Sequence, residues 1–369
     1  MTEEQSDFKV EIVQVLAVED HPGADRLDLL TIKGWQCVAR KGEYSVGDKV
    51  IYIPIDSVLP EELEAKIFGA DAKVKLSKSR VKTIKLRGAI SQGMVIPMWY
   101  VEPDYKVGRD VTKELGITKY EPPPPKFQSV GGGSQPKKSY KHPNFDKYHK
   151  WPNIKNYPEL FNPDDIVIVT EKIHGTNFKA GWLKWHGNKW WKKVLSWVGL
   201  APEWQFVYGS HNVQISEKML YDGFYDKNVY AETVVKYELK NRIPKGMLIF
   251  GEVYGAGIQK GYDYGLKDSR ELVLFDAKVE DGGYLGYYEF KALAIRMLMP
   301  TAPELYIGQY AGFKLERHIA GPSTIDPKQK VREGCVIKTV DEQKCYAGSR
   351  KGTKCINPEY LLKNNTDFH

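Results

Sequence analysis

The sequence predicts an α+β chain of two domains, a small β-barrel followed by a larger mixed domain. Three observations carry this. Short β-like runs separated by turn residues fill residues 1–117, and a proline-, glycine- and lysine-rich stretch follows over 118–150. From 151 to 369, longer apolar strands alternate with a helical pattern. At 369 residues and 42% apolar content the chain is long enough to bury two cores.

In the first domain the strand-like runs are Phe8 to Ala17, Leu29 to Ile32, Gln36 to Arg40, Lys49 to Ile55 and Met94 to Met98. His21-Pro22-Gly23, Lys33-Gly34 and Val46-Gly47-Asp48 punctuate them. Strands this short and this evenly spaced suit a barrel rather than a βαβ unit. His21 to Leu27, followed by Val46-Gly47-Asp48, resembles OB-fold domains, including those appended to tRNA-handling proteins. That resemblance implies a nucleic-acid partner. Arg80, Lys82, Lys85 and Arg87 belong to a basic stretch that either grips phosphates or is a solvated strand face. Gly88 to Gly93 reads as a flexible loop.

Pro122 to Pro125 is stiff and extended, whereas Gly131-Gly132-Gly133-Ser134 is flexible. Lys137, Lys138, Lys141 and Lys147, interleaved with Tyr140 and Tyr148, either complete a tether or track a nucleic-acid backbone. The net charge of +7 favours phosphate-bearing partners, although 54 basic and 47 acidic residues mostly cancel. The four cysteines show neither a C-x-x-C pair nor zinc spacing, so a reducing compartment is expected. No signal-peptide core or membrane span is evident, and a soluble cytoplasmic protein with no membrane partner is expected.

In the second domain Ile166 to Val169 is a β-branched apolar run that ends near Glu171-Lys172-Ile173-His174-Gly175-Thr176-Asn177. A lysine there, followed by a glycine turn, is either a nucleophile or a surface residue of a strand-to-loop turn. Leu248 to Gly255 delivers Glu252, Glu271 to Ala277 delivers Asp276, and the strand from Arg332 carries Glu333 and ends on Lys338. A helix is expected over Val229 to Lys240. Trp182, Trp185, Trp190, Trp191, Trp197 and Trp204 share a segment with Lys184, Lys189, Lys192 and Lys193. Either Trp190 and Trp191 stack on RNA bases, or the segment is a hairpin that packs its indoles inward, and the inward hairpin is the favoured reading.

In order, these stretches resemble the motifs of the covalent nucleotidyltransferases, the superfamily of polynucleotide ligases and capping enzymes. Lys172-Ile173-His174-Gly175 is similar to their lysine motif, Gly209-Ser210-His211-Asn212 to the next, and Phe250-Gly251-Glu252 to the third. Phe275-Asp276 resembles the companion strand, Glu333-Gly334 the fourth motif, and Lys354 stands in the place of the last. His174, the run Gly255-Ala256-Gly257-Ile258-Gln259-Lys260 and the leading OB-like domain resemble the RNA-ligase branch. The second motif departs from the pattern, with His211 where arginine is usual. So does the last, with Ile356 where a second lysine is common and Lys351 at a different spacing.

The resemblance implies antiparallel sheets with flanking helices and an ATP-dependent RNA ligase acting through lysyl-AMP and adenylylated RNA. Lys172, Lys354 and Lys338 would be catalytic, and Glu252 and Glu333 would hold Mg²⁺, or Mn²⁺ in its place. Glu171, Ile173, His174, Gly175, Asn177, Ser210, Phe275 and Lys351 would bind the nucleotide. As a nucleophile, Lys172 needs its pKa lowered by roughly three units from about 10.4, by nearby cations or a metal. The expected partners are ATP and RNA with 5′-phosphate and 3′-OH ends, and a monomer is expected. A DNA ligase, a GTP-dependent capping enzyme and a non-catalytic OB-fold RNA-binding protein are the competing readings.

Overall fold

The structure is a computed structural model that describes residues 8–69, 76–120, 141–185, 189–220, 228–345 and 349–362. Two compact units emerge. The first holds Met1–Phe127 with Pro152–Leu160 and Lys354–His369, and the second holds Gln128–Trp151 with Phe161–Thr353. Most of the expected linker, 121–140 with Lys137, Lys138 and Tyr140, lies outside the described residues.

The first unit contains β1 (Glu11–Asp20), β2 (Leu27–Ile32), β3 (Trp35–Arg40), β4 (Lys49–Ile53), β5 (Ser57–Val58), α1 (Glu61–Phe68), β6 (Thr83–Leu86), β7 (Ala89–Gln92), β8 (Met94–Ile96) and β9 (Thr118–Lys119). Five of the strands form an antiparallel sheet in the order β3-β2-β1-β4-β8. β1 pairs with β4 through Glu11–Gln14 and with β2 from Val15 on, with a bulge between Val15 and Ala17. That bulge bends one strand through both halves of the sheet, as closing a small barrel requires. Two apolar clusters fill it, one around Ile12, Ile51 and Ile53 and the other around Val13, Leu30, Ile32 and Trp35.

Gly88 to Gly93 is not a loop. Arg87 and Gly88 both take positive φ, 47° and 98°, and turn β6 into β7 as a tight hairpin. His21 holds that hairpin: its Nδ1 accepts from the Gly23 N–H at 3.0 Å, which leaves Nε2 to donate to the Leu86 carbonyl at 3.0 Å. Arg80 is also not the surface cation expected. It is buried, paired with Asp56 at 2.6 Å and placed over the Tyr120 ring at 3.6 Å, because its guanidinium stitches β5's neighbourhood together. Lys85 and Arg87 are exposed and Lys82 half-buried.

The second unit contains β10 (Ile166–Lys172), β11 (Thr176–Lys184), α2 (Trp190–Trp197), β12 (Trp204–Gly209), β13 (Gln214–Ile215), α3 (Val229–Lys236), α4 (Leu239–Arg242), β14 (Met247–Gly255), β15 (Arg270–Val279), α5 (Tyr287–Arg296), β16 (Glu304–Gln309), α6 (Leu315–Ile319) and β17 (Gly334–Thr339). β18 (Gly352–Ile356) leads the chain back into the first unit, where α7 (Pro358–Leu361) follows. One sheet runs β16-β10-β17-β18 and the other β13-β12-β11-β14-β15. Side chains alternate along β14: Ile249 and Val253 join the core under α3, α4 and α5, while Leu248 and Phe250 face a second cluster with Phe145, Tyr148 and Trp151. Residues 141–150, expected as linker, are thus part of this unit's packing, with Phe145 and Tyr148 in its cluster. The helix expected over Val229 to Lys240 is two helices, because Glu238 takes φ 50° between them.

Candidate active site

The site lies where β10 of one sheet hands the chain to β11 of the other. Both strands are fixed by their partners. β10 pairs with β17 so that Lys172 faces Gly334, which carries Glu333 to the lysine across 161 residues of sequence. β11 pairs with β14 so that Asn177 stands opposite Glu252. The Lys172 ammonium donates to Glu333 Oε1 at 2.6 Å, and His174 Nδ1 lies 3.9 Å from Glu333 Oε2.

Only the short turn Ile173-His174-Gly175 joins the two strands, and it is clamped by the segment after β14. Tyr264 Oη accepts the buried His174 N–H at 2.8 Å, and Gln259 Nε2 donates to the Gly175 carbonyl at 3.0 Å. The Tyr262 ring meets the His174 ring edge-on at 5.0 Å, and its hydroxyl donates to the Val331 carbonyl, two residues before Glu333. The same segment therefore ties down both the lysine turn and the Glu333 strand. Gly175 has no room for a side chain: a Cβ would stand 2.2 Å from the Val253 carbonyl oxygen and 2.9 Å from Glu252 Cγ.

Electrostatics here run opposite to the expectation from the sequence. Burial pulls the Lys172 pKa down, but Glu333 and then Glu252 outweigh it, and the net shift is upward. The lysine's neighbours are carboxylates, not cations, and they favour its ammonium form. Glu252 is pushed up to about 8 by burial, with Lys172 opposing and Glu333 adding to the rise. Its carboxylate lacks the positive charge it needs.

Glu171 is buried behind Lys172. Its Oε2 accepts the Thr324 N–H at 2.7 Å, while Oε1 is buried with no hydrogen-bond partner among the described residues. Asn177 Oδ1 and Glu333 Oε2 are likewise buried without one. Ser210 closes the β12–β13 turn by accepting the Val213 N–H at 3.2 Å. Among the described residues, no three His, Cys, Asp or Glu side chains gather as a metal cluster.

Lys338 and Phe275 meet at a second centre. The β14–β15 register jumps from Phe250↔Asp276 to Gly251↔Leu274, so Phe275 is the extra residue of a bulge. The bulge breaks the alternation. Leu272, Leu274 and Ala277 stay in the helix-covered core, while Phe275 packs on Tyr148 at 4.9 Å. Asp276, fully buried, accepts from Tyr148 Oη at 2.8 Å, Arg350 at 2.8 Å and Lys338 at 3.2 Å. Burial pushes the Asp276 carboxyl up, but Lys338 and Arg350 outweigh it and the net shift is down. Lys338 also donates to the Phe275 carbonyl at 3.2 Å.

Two further expected groups have partners of their own. Lys351 is buried and pairs with Asp165 at 2.6 Å. Lys354 belongs to the first unit, where its N–H donates to the Pro152 carbonyl at 2.8 Å. Arg350, Tyr262, Tyr264 and Lys179 were not singled out from the sequence. Lys179 is buried on β11, with its ammonium on the carbonyls of Phe145, Asp146 and His211, and burial followed by Lys141 lowers its pKa to about 7. A lysine inside the apolar run Phe178 to Leu183 was the available signal.

A small antiparallel OB domain, then two sheets that meet at a lysine between two glutamates, is the layout of a nucleotidyltransferase. The RNA ligase family model matches residues 165–356 and an OB-fold domain matches 9–98, and the chain belongs to the RNA ligase family. That membership does not favour the DNA-ligase, capping or non-catalytic readings.

Among solved structures the chain is similar to the Naegleria gruberi RNA ligase. One is a lysine-to-alanine mutant with ATP and Mn, at 23% identity and TM-score 0.71 over 95% of this chain and 98% of that one. Another is a lysine-to-methionine mutant with AMP and Mn, also at 23% identity and TM-score 0.71, over 95% and 97%. At that identity the likeness speaks for the fold. No curated protein matches the chain.

Proposed function

We propose that this RNA ligase uses ATP to join RNA 5′-phosphate and 3′-OH ends through a lysyl-AMP intermediate on Lys172. The observation that carries it is the half-buried Lys172–Glu333 hydrogen bond with Glu252 alongside. In the first step the Lys172 nitrogen bonds the α-phosphorus and the bond to the β-phosphate oxygen breaks, releasing pyrophosphate. Lys172 must first give up a proton, and Glu333 Oε1 is hydrogen-bonded to receive it. AMP then passes to the RNA 5′-phosphate, and attack by the 3′-OH expels it.

The unpartnered Oε1 of Glu171 suits the amino edge of adenine, which would fill an acceptor that burial leaves unsatisfied. Ile173, His174 and Gly175 form the turn and Asn177 follows it on β11, and Ser210 and Phe275 remain candidates for ribose and base. Glu252, together with Glu333 Oε2 and Asn177 Oδ1, which are buried without a hydrogen-bond partner among the described residues, offers an oxygen donor set that fits Mg²⁺ or Mn²⁺. Such an ion, when bound, draws charge from the phosphate oxygens. Lys338, fixed by Asp276, would supply further positive charge, while the part assigned to Lys354 rests on its place in the sequence alone. In the OB domain, Lys82, Lys85 and Arg87 on the β6–β7 hairpin are proposed to contact RNA phosphates.

The test is incubation with α-labelled ATP or GTP and Mg²⁺, followed by a denaturing gel. ATP is expected to label the wild type and not Lys172→Ala, and absence of label from either nucleotide would refute the ligase chemistry.

A further inference from the structure

The tryptophan-rich segment is an inward-packed hairpin only at its ends, where β11 pairs with β12 and Trp182 packs on Phe206, and its middle departs from that reading. That middle forms the two-turn helix α2, and its indoles face out: Trp190 is 77% exposed, Trp197 86% and Trp191 45%. Trp190, Val194 and Trp197 recur at i, i+4 and i+7 and share one face, while Leu195 and Ser196 on the other side are half-buried. Trp190 and Trp197 lie about 10 Å apart along the axis, roughly three stacked-nucleotide steps. Lys189 and Lys193, four residues apart, border this face, and Lys189 Nζ lies 5.9 Å from the centre of the Trp191 ring. Between Trp185 and Pro202 the sequence has three lysines and no acidic residue.

We propose that α2 is an accessory RNA grip that stacks unpaired bases on Trp190 and Trp197 and holds the adjoining phosphates with Lys189 and Lys193. The cationic border selects a polyanion. The separated indoles select bases with free faces, which a duplex hides within its stack. The proposal rests on the RNA ligase reading and adds to it an RNA with an unpaired stretch as preferred substrate.

The test measures binding of a labelled single-stranded RNA and of a blunt duplex to the full chain at two salt concentrations. Trp190→Ser with Trp197→Ser is expected to weaken single-strand binding about ten-fold or more and duplex binding far less. Lys189→Gln with Lys193→Gln is expected to reduce the salt slope for the single strand by about 1.4, or 0.7 per lost phosphate contact. Unchanged single-strand affinity in the tryptophan variant, or an equal loss for the duplex, overturns the proposal. So does tryptophan-dependent flotation with anionic vesicles in place of RNA binding. Lysyl-AMP formation needs no RNA and is read in parallel on the wild type. Adduct formation with indifferent tryptophan variants refutes only the grip, whereas absence of adduct refutes the ligase reading itself.

Discussion

Replacing Gly175 by alanine tests whether the lysine turn and the Glu252 strand are held in register by contact. The added methyl would stand 2.2 Å from the Val253 carbonyl oxygen and 2.9 Å from Glu252 Cγ. Ordinary contact needs a little over 3 Å, so backbone on one side must move by about 1 Å. Neither side yields cheaply. Thr176 is paired with Val253 in the sheet, and the Gly175 carbonyl is held by Gln259. The displacement therefore falls on the spacing of Lys172 and Glu252. A misplacement of that size costs about 100-fold in rate, or about 2.7 kcal/mol. Overpacking adds a stability cost of about 1–3 kcal/mol, which lowers Tm by several degrees in a domain of this size. The assay is the single-turnover rate of adduct formation with labelled ATP, run beside a thermal melt. A Gly175→Ala protein that labels within two-fold of wild type and melts unchanged would refute the reasoning.

The clamp and the carboxylates make further predictions. Tyr264→Phe removes the acceptor of the buried His174 N–H, which costs about 1–3 kcal/mol; a Tm lower by a few degrees and slower adduct formation are expected, and an unchanged melt counts against the clamp. Glu252 keeps its proton up to about pH 8 in the fold, while the unfolded chain releases it near 4.5. Between those values the folded state binds more protons, so stability falls as pH rises. In chelator, Glu252→Gln is expected to lose less Tm than wild type between about pH 5.5 and pH 8, and identical slopes would refute that assignment.

Much of the site was legible because strand chemistry is local. The β-branched run before Lys172, the apolar strand that delivers Glu252 and the strand through Lys338 each announce themselves within a few residues. The β6–β7 hairpin was missed because its Arg87-Gly88 turn is short and its strands are polar on one side. Arg80 and Lys351 were read as available cations, since sequence does not show a carboxylate brought close by folding, as Asp56 and Asp165 are. The middle of the tryptophan segment was misjudged for a related reason. Indoles usually pack inward, and only the helix shows which face they take.

By itself the sequence determined the order of the family's motifs and that a small β-domain precedes them. The motif order is read along the chain through the resemblance, and the β-domain from its short strand-like runs. Tertiary structure alone decided their charge states and their company. The β10–β17 register, not proximity in sequence, sets Glu333 on Lys172 and turns an expected depressed nucleophile into a held ammonium. The bulge at Phe275 breaks the period of β15 and aims Asp276 at Lys338 and Arg350. Pairing between distant strands fixes distances to within an ångström, and the electrostatics of a buried charge depend on those distances.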